Sequence, residues 1–304
     1  MPVKNGMSFI NSAKKHLSKN CRASDEILVI DDNSTDGTFH ELQRWASEDS
    51  RVRVISNNGQ GLVSALNLGL TESAHTWIAR FDVDDKYTDN RIAQQASLIN
   101  SETVAIFSDY EIWRPDGVSL GKIPSPVDSD AVKISLINSR RTPHPSVLFS
   151  KVAVLEVGGY RTEDFPAEDL SLWLRLSRVG RLVSAPQFLL DYRLGKDSIT
   201  GQKRAQIIRK SSDLLHGIGV YNEAVRSGFQ RIDEILDSYE GLNLCEERQI
   251  LFLQELSKAM EFSGGDRKRT VLNKLMGRLD RKLVAAALSI SIGTTKRRIF
   301  RKFG

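Results

Sequence analysis

The 304-residue chain is poor in cysteine, with only Cys21 and Cys245. A disulfide framework or a cysteine-based zinc site is therefore not expected, and a reducing compartment fits. No apolar run approaches the roughly 20 residues that a membrane span requires, and no signal-peptide pattern is present. No segment repeats. No G-x-G-x-x-G follows a strand-like run, which argues against a dinucleotide oxidoreductase. No basic, glycine-rich loop stands near the N-terminus, which weighs against nucleotidyl transfer. Acid is also scarce in one region. Residues 251–304 carry 13 Lys+Arg against 4 Asp+Glu, whereas residues 1–250 carry 30 against 34. The net charge of +5 thus belongs to the tail.

What is present reads as a globular chain, 40% apolar and 27% charged. Its first two thirds alternate strand-like and helix-like segments. EILVID (26–31), RVRVIS (51–56), TWIARFD (76–82) and TVAIFSDYEIW (103–113) read as strands. Residues 36–49 and 61–73 space their apolar residues at helical intervals, and Asp89 or Asn90 could cap a helix running to Leu98. Residues 114–145, with five prolines, read as loop. EDLSLWLRLSRVG (168–180) reads as a strong helix stopped by Gly180. The βα alternation predicts an α/β fold, a mostly parallel sheet with helices on both faces. Ligands of such sheets bind beyond the strands' carboxyl ends. There the sequence places Asp31, Asp32, Asp82, Asp84 and Asp85.

DVDD (82–85) crowds three carboxylates into four positions, and like charges repel unless a cation sits among them. A hard divalent ion such as Mg²⁺ or Mn²⁺ takes such oxygens and keeps positions for water and phosphate. A solvated acidic turn would look the same. IDDNSTDGT (30–38) suits a turn opening a helix; its carboxylates could accept from a base N–H or a ribose hydroxyl, or serve only as an N-cap. Gly59 and Gly61 precede a helix, where a backbone without side chains admits a ligand close and the helix start favours an anion. Glu168 and Asp169 open a helix, where capping and general-base roles both suit a carboxylate.

Taken in order, MPVKNG (1–6), ILVIDDNSTDGT (27–38), GLVSALNLG (61–69), WIARFDVDD (77–85), HPSVLF (144–149), VLEVGGYR (154–161) and AEDLSLWLRL (167–176) resemble the inverting glycosyltransferases of family 2. The resemblance covers roughly residues 1–200 and implies the GT-A nucleotide-diphospho-sugar fold. By position it implies that Pro2, Val3, Asp32 and Gly61 line the donor nucleotide and that Asp84 lies near the ribose. Asp85, with Asp84, would bind Mn²⁺ or Mg²⁺, and Asp82 would support the loop. Asp169 would be the catalytic base, with Glu168 and His144 shaping the acceptor site. The donor would be a UDP-, GDP- or dTDP-sugar and the acceptor a glycan or lipid-linked hydroxyl in envelope polysaccharide synthesis. The alternatives are a degenerate sugar-nucleotide-binding subunit and a nucleotidyltransferase.

Three departures from the family pattern stand out. The family's first strand is expected upstream of Met1, or missing. Gly195 stands about where the family often has a metal-binding His, which implies a weaker metal site or a water in that place. Ser171 stands where the family often has an acid. The expected organisation is a GT-A domain over 1–204 and a helical C-terminal region over 205–304. The tail spaces Leu272, Leu275, Met276, Leu279 and Leu283 along one helical face and ends in KRRIFRKF. That composition suits an interfacial helix on an anionic membrane, hence a cytoplasmic protein peripheral to the inner face; nucleic-acid binding is not favoured.

Overall fold

The structure is a computed structural model and describes residues 1–137, 142–195 and 198–217, the side chains of 130, 134, 137, 212 and 215–217 apart. The basic amphipathic tail and most of the C-terminal helical region lie outside the described residues.

The first half alternates as the sequence implies. Strand β1 (Pro2–Val3), helix α1 (Ile10–Asn20), β2 (Ile27–Asp31), α2 (Thr38–Glu48), β3 (Val52–Ser56) and α3 (Leu62–Glu72) build a three-stranded parallel sheet in the order β1-β2-β3. Pro2 and Val3, expected as a base-lining loop, pair with Ile30 and Asp31. These two residues of strand carry the chain into the loop beside Asp32, whose N–H donates to the Val3 carbonyl at 2.8 Å.

The second half is a mixed sheet. It contains β4 (Trp77–Ala79), β5 (Lys86–Tyr87), β6 (Thr103–Trp113), β7 (Ser119–Ile123), β8 (Leu148–Ser150) and β9 (Arg181–Arg193). The order is β4-β8-β6-β9-β5, with β7 on β6. Only β6 and β9 pair in parallel; β4–β8, β6–β8, β6–β7 and β5–β9 are antiparallel. The region read as loop, 114–145, holds the β6–β7 hairpin and helix α5 (Ser129–Ile137). Gly117, at φ 82°, makes the hairpin turn. Along β9, Ser108 pairs with Ala185 and Asp109 with Phe188. Pro186 and Gln187 are thus bulged out, because proline has no N–H to give the ladder.

Helix α4 (Arg91–Ala96) is shorter than the spacing suggested and follows Asn90, whose backbone is left-handed at φ 62° and whose side chain makes no cap. Helices α6 (Lys151–Glu156), α7 (Glu168–Leu176), α8 (Ile199–Gln202) and α9 (Arg204–Gly217) complete the described elements.

Two apolar clusters fix these elements. One joins Phe107, Phe149, Leu172, Trp173, Leu176 and Leu182, wedging α7 against β6, β8 and β9. Ser171, Leu172, Trp173, Leu174 and Leu176 are all buried, so α7 is enclosed on most sides. Each large apolar side chain buried there contributes about 1.5–3 kcal/mol, enough to hold the helix start and its two acids in one place. The other cluster joins Val29, Leu42, Trp45, Phe81, Tyr87 and Leu190 beneath the first sheet and the acidic loop.

Between the clusters runs a polar tie. Arg91 is fully buried, donates to the carbonyls of Arg80 and Val147 at 2.9 and 3.1 Å and to Gln95 Oε1 at 2.9 Å, and stacks on Phe81 and Tyr87. Gln95 Nε2 in turn donates to the Ile106 and Ser146 carbonyls. Breaking such a network leaves buried groups unpaired. Its effect is to pin the end of β4, and so the entry to DVDD, to the sheet.

Candidate active site

The acidic loop leaves β4 two residues after Ala79 and returns at β5. Its carboxylates meet cations that belong to the protein. Arg80, buried, pairs with Asp82 at 2.5 Å. Arg193, at the end of β9, pairs with Asp84 at 3.3 Å through its guanidinium, and its backbone N–H donates to Asp85 Oδ1 at 2.7 Å. The same guanidinium lies over the Phe9 ring at 5.0 Å. Tyr87 closes the loop by accepting from the Asp82 N–H at 2.7 Å.

These cations do not satisfy the loop. Asp85 Oδ2 is buried with no partner among the described residues. Burial, then the charges of Asp82 and Asp84, pushes the Asp85 carboxyl well above the usual carboxylate range. Asp84 moves the same way, through burial and then Asp82, in spite of Arg193. Negative charge packed into a low-dielectric pocket is unfavourable until another positive charge arrives. Among the described residues no three His, Cys, Asp or Glu side chains assemble into a metal cage. What the loop offers is two hard carboxylates, one with a buried unpartnered oxygen. That donor set fits a divalent ion whose remaining positions are filled by water and phosphate oxygens.

The second acidic pair starts α7. The preceding turn (Thr162–Asp164) carries a buried Asp164, which accepts from Ser171 Oγ and, through its carbonyl, from the Ala167 N–H. The acid absent at position 171 is thus supplied from the turn, and it holds the helix start. Asp169 Oδ1 accepts from the Leu170 N–H at 2.7 Å. Glu168 is buried, its Oε2 has no partner among the described residues, and burial followed by the charge of Asp169 pushes its carboxyl up to about 8. A carboxyl so placed holds its proton at neutral pH.

Arg80 connects the two acidic groups. Its charge acts on Asp85, Glu168, Tyr160 and His144, while the charges of Glu168 and Asp169 act on Tyr160. The charge of this buried guanidinium is thus felt at both the loop and the helix start. The His144 ring, partly buried, bonds Tyr160 Oη through Nε2 at 2.8 Å and lies edge-on to Trp173 at 5.7 Å. Burial and Arg80 hold it well below the usual histidine range, hence neutral. Tyr160 is fixed from α3, where Asn67 bonds both its N–H and its carbonyl.

The third group lies at the end of β2. Asp32 is buried; its Oδ1 accepts from Asn57 Nδ2 at 2.7 Å and from the Gly61 N–H at 3.0 Å, and its Oδ2 pairs with Lys4 Nζ at 3.4 Å. The Gly61 N–H, expected to face an anion, is spent on Asp32, and Gly61 adopts φ 88° to make that bond. This group adjoins the acidic loop through Gly6, where an added Cβ would meet Val3 at 2.6 Å and Val83 at 3.2 Å.

The acids singled out in the sequence thus fall into three groups: Asp82, Asp84 and Asp85 on the loop between β4 and β5, Glu168 and Asp169 at the start of α7, and Asp32 directly after β2. Sequence reasoning missed Arg80, Arg193, Tyr160, Asn57 and Lys4, which hold or face these acids. The one available signal for Arg80 was a charged residue inside the apolar run WIARF, which only burial against a partner tolerates.

Residues 1–122 match the family model described as Glycosyl transferase family 2. Among curated proteins, the chain is similar to an Escherichia coli UDP-Gal:alpha-D-GlcNAc-diphosphoundecaprenol beta-1,3-galactosyltransferase. The two are 28% identical over 214 residues, 67% of this chain and 75% of that one. A putative teichuronic acid biosynthesis glycosyltransferase of Bacillus subtilis is 25% identical over 209 residues, 66% of this chain and 80% of its own. Among solved structures, a Pyrobaculum calidifontis mannosyltransferase in complex with GDP-Man and Mn²⁺ superposes with a TM-score of 0.56 at 16% identity, covering 99% of this chain and 81% of that one. Staphylococcus aureus TarS 1-349 in complex with UDP-GlcNAc gives 0.57 at 15% identity, covering 96% and 86%. At such identities the likeness bears on the fold, an α/β fold of the GT-A type.

Proposed function

The chain belongs to glycosyltransferase family 2, and on that premise we propose that it moves a sugar from a nucleotide-diphospho-sugar to an acceptor hydroxyl in one displacement that inverts the anomeric carbon. One observation supports the reading above others: Asp85 carries a buried carboxylate oxygen with no partner among the described residues, and the charge of Arg80 acts on both Asp85 and Glu168.

Asp85 and Asp84 would hold a divalent cation, Mn²⁺ or Mg²⁺, which when bound offsets negative charge on the departing diphosphate. Arg193, already against Asp84, keeps that carboxylate turned into the loop. Asp82 is neutralised by Arg80 and serves the loop's shape. Asp32 holds the base at the end of β2. Asp169, at the start of α7, accepts the acceptor hydroxyl's proton as that oxygen attacks the anomeric carbon from the face opposite the diphosphate. Glu168 beside it, its carboxyl pushed up to about 8 by burial and then by Asp169, holds its own proton at neutral pH. No protein nucleophile and no covalent intermediate enter.

The acceptor we propose is a glycan carried on a lipid diphosphate, in the synthesis of a surface polysaccharide. The relative from E. coli is named for such an acceptor and the one from B. subtilis for teichuronic acid biosynthesis. The enzyme would then work at the inner face of a membrane, where the basic composition of residues 251–304 favours attraction to anionic headgroups. Among the described residues no helix is long and apolar enough to cross a membrane.

The test is the product's stereochemistry. Purified protein, Mn²⁺ or Mg²⁺, a panel of α-linked UDP-, GDP- and dTDP-sugars and undecaprenyl-diphosphate-linked acceptors are combined, and the new linkage is read by NMR. We expect a β-linkage from an α-linked donor; an α-linkage would overturn the single-displacement reading.

A further inference from the structure

Resting on the reading that the acceptor is carried on a membrane lipid, we infer that the exposed face of α8 and α9 docks on an anionic lipid bilayer and so sets the candidate site beside it.

The stretch SITGQKRAQIIRKSS (198–212) holds four cations, Lys203, Arg204, Arg209 and Lys210, and no acid. Helix α9 begins within it. A helix turns by about 100° per residue, so Arg204, Ala205, Ile208 and Arg209 share one side. All four are exposed, Ile208 to 59%. On the opposite side Ser211 and Leu214 are buried. Ile199, in α8, is 40% exposed. One exposed isoleucine is ordinary on a protein surface. Two of them, among four cations that no neighbouring acid balances, have the composition of an interfacial helix. There the apolar side chains enter the boundary between headgroups and acyl chains, and the cations meet lipid phosphate. A nucleic acid would satisfy the cations and leave the isoleucines in water.

This face is fixed next to both acidic groups. Thr200 Oγ1, in α8, bonds Tyr192 Oη at 2.9 Å, and the next residue of β9 is the Arg193 that pairs with Asp84. Lys203 Nζ, between α8 and α9, lies over the Phe165 ring at 5.5 Å. Phe165 directly follows the Thr162–Asp164 turn that holds the start of α7. The two contacts tie α8 to the strand end beside the metal loop and to the approach to Glu168 and Asp169. A bilayer held by α8 and α9 therefore keeps those acids close to the surface from which a lipid diphosphate presents its glycan.

The experiment sediments the full chain with phosphatidylcholine vesicles, with and without phosphatidylglycerol. We expect binding only where phosphatidylglycerol is present. Arg204→Gln combined with Arg209→Gln, and separately Ile208→Asp, should each weaken it at least tenfold, although residues 251–304 keep their own cations. All these positions are on the surface, so the variants should melt as the unaltered protein does. A fluorophore on the thiol of Ile208→Cys, made together with Cys21→Ser and Cys245→Ser, should shift to the blue when phosphatidylglycerol vesicles are added. Vesicle binding unchanged by the substitutions, or a fluorophore that stays in water, would overturn the inference. A fluorophore already shielded without vesicles would also overturn it. That result would assign the face to this chain's own residues, or to a second copy where the shielding grows with protein concentration. Transfer to a water-soluble acceptor should be equal in all the proteins and tests the enzyme reading separately. Its absence would overturn that reading, while the vesicle measurements would still decide the docking face.

Discussion

Asp169→Asn will leave the protein folded and able to bind donor, yet reduce transfer roughly 10²- to 10⁴-fold, the usual contribution of a positioned general base. The substitution keeps an oxygen for the Leu170 N–H, the local bond Asp169 makes at the start of α7. The buried side of that helix, from Ser171 to Leu176, is untouched. What is lost is the ability to accept a proton. Steady-state rates at saturating donor, together with calorimetric donor affinity, check the claim. A variant with unchanged turnover would remove Asp169 from the chemistry. A variant with unchanged turnover per bound donor but weakened affinity would reassign it to binding.

Glu168→Gln will alter stability in a pH window. In the unfolded chain Glu168 ionises near its ordinary value of 4.5; in the folded protein burial and Asp169 push it up to about 8. Between those values the folded state keeps a proton that the unfolded state has released, so stability falls as pH rises through the window, and the loss is complete above about 8. A tenfold change in proton affinity corresponds to about 1.4 kcal/mol, so the carboxyl destabilises the alkaline folded state by a few kcal/mol. Glutamine cannot ionise and escapes that loss. The two proteins should have similar melting temperatures near pH 5, and the variant should be more stable by several degrees near pH 9. Asp84 and Asp85, also raised, remain in both proteins and cancel in the difference. Melting curves that stay parallel from pH 5 to 9 would show that Glu168 is ionised throughout, and would withdraw the division of labour within the acidic pair.

Much of this site was legible because its acids stand where simple patterns end. Asp31 closes an apolar strand, DVDD follows another, and Glu168 opens a helix whose apolar spacing is unmistakable; α/β geometry sends such positions to one edge. The strand β6 was readable to its ends, Thr103–Trp113, because it is a long β-rich run. The antiparallel part of the second sheet was not. β5 has two residues and β8 three, too few to show a period, and β9 contains a proline that its bulge accommodates. Pairing direction is a property of long-range contacts that no local pattern records. The buried arginines were hidden for a related reason. Arg91 sits in a charged stretch, DNRIAQQ, and only its carbonyl partners on other strands make it a core residue. His144 was singled out only through the resemblance, as shaping the acceptor site; its place against Trp173 and Tyr160 comes from packing. The question raised by three crowded aspartates has a two-part answer: Arg80 and Arg193 meet two of them, and Asp85 is left over.

That remaining oxygen is the centre of the proposed chemistry, and Mn²⁺ binding tests it most directly. Mn²⁺ is titrated into the protein in the presence of whichever nucleoside diphosphate binds most tightly, with free ion followed by its paramagnetic resonance signal. The comparison is with Asp85→Asn, which retains an oxygen for the Arg193 N–H, and with Asp169→Asn. The unaltered protein and Asp169→Asn should each take up one ion, and Asp85→Asn should bind it at least tenfold more weakly. Equal uptake by Asp85→Asn would contradict a cation held at that carboxylate.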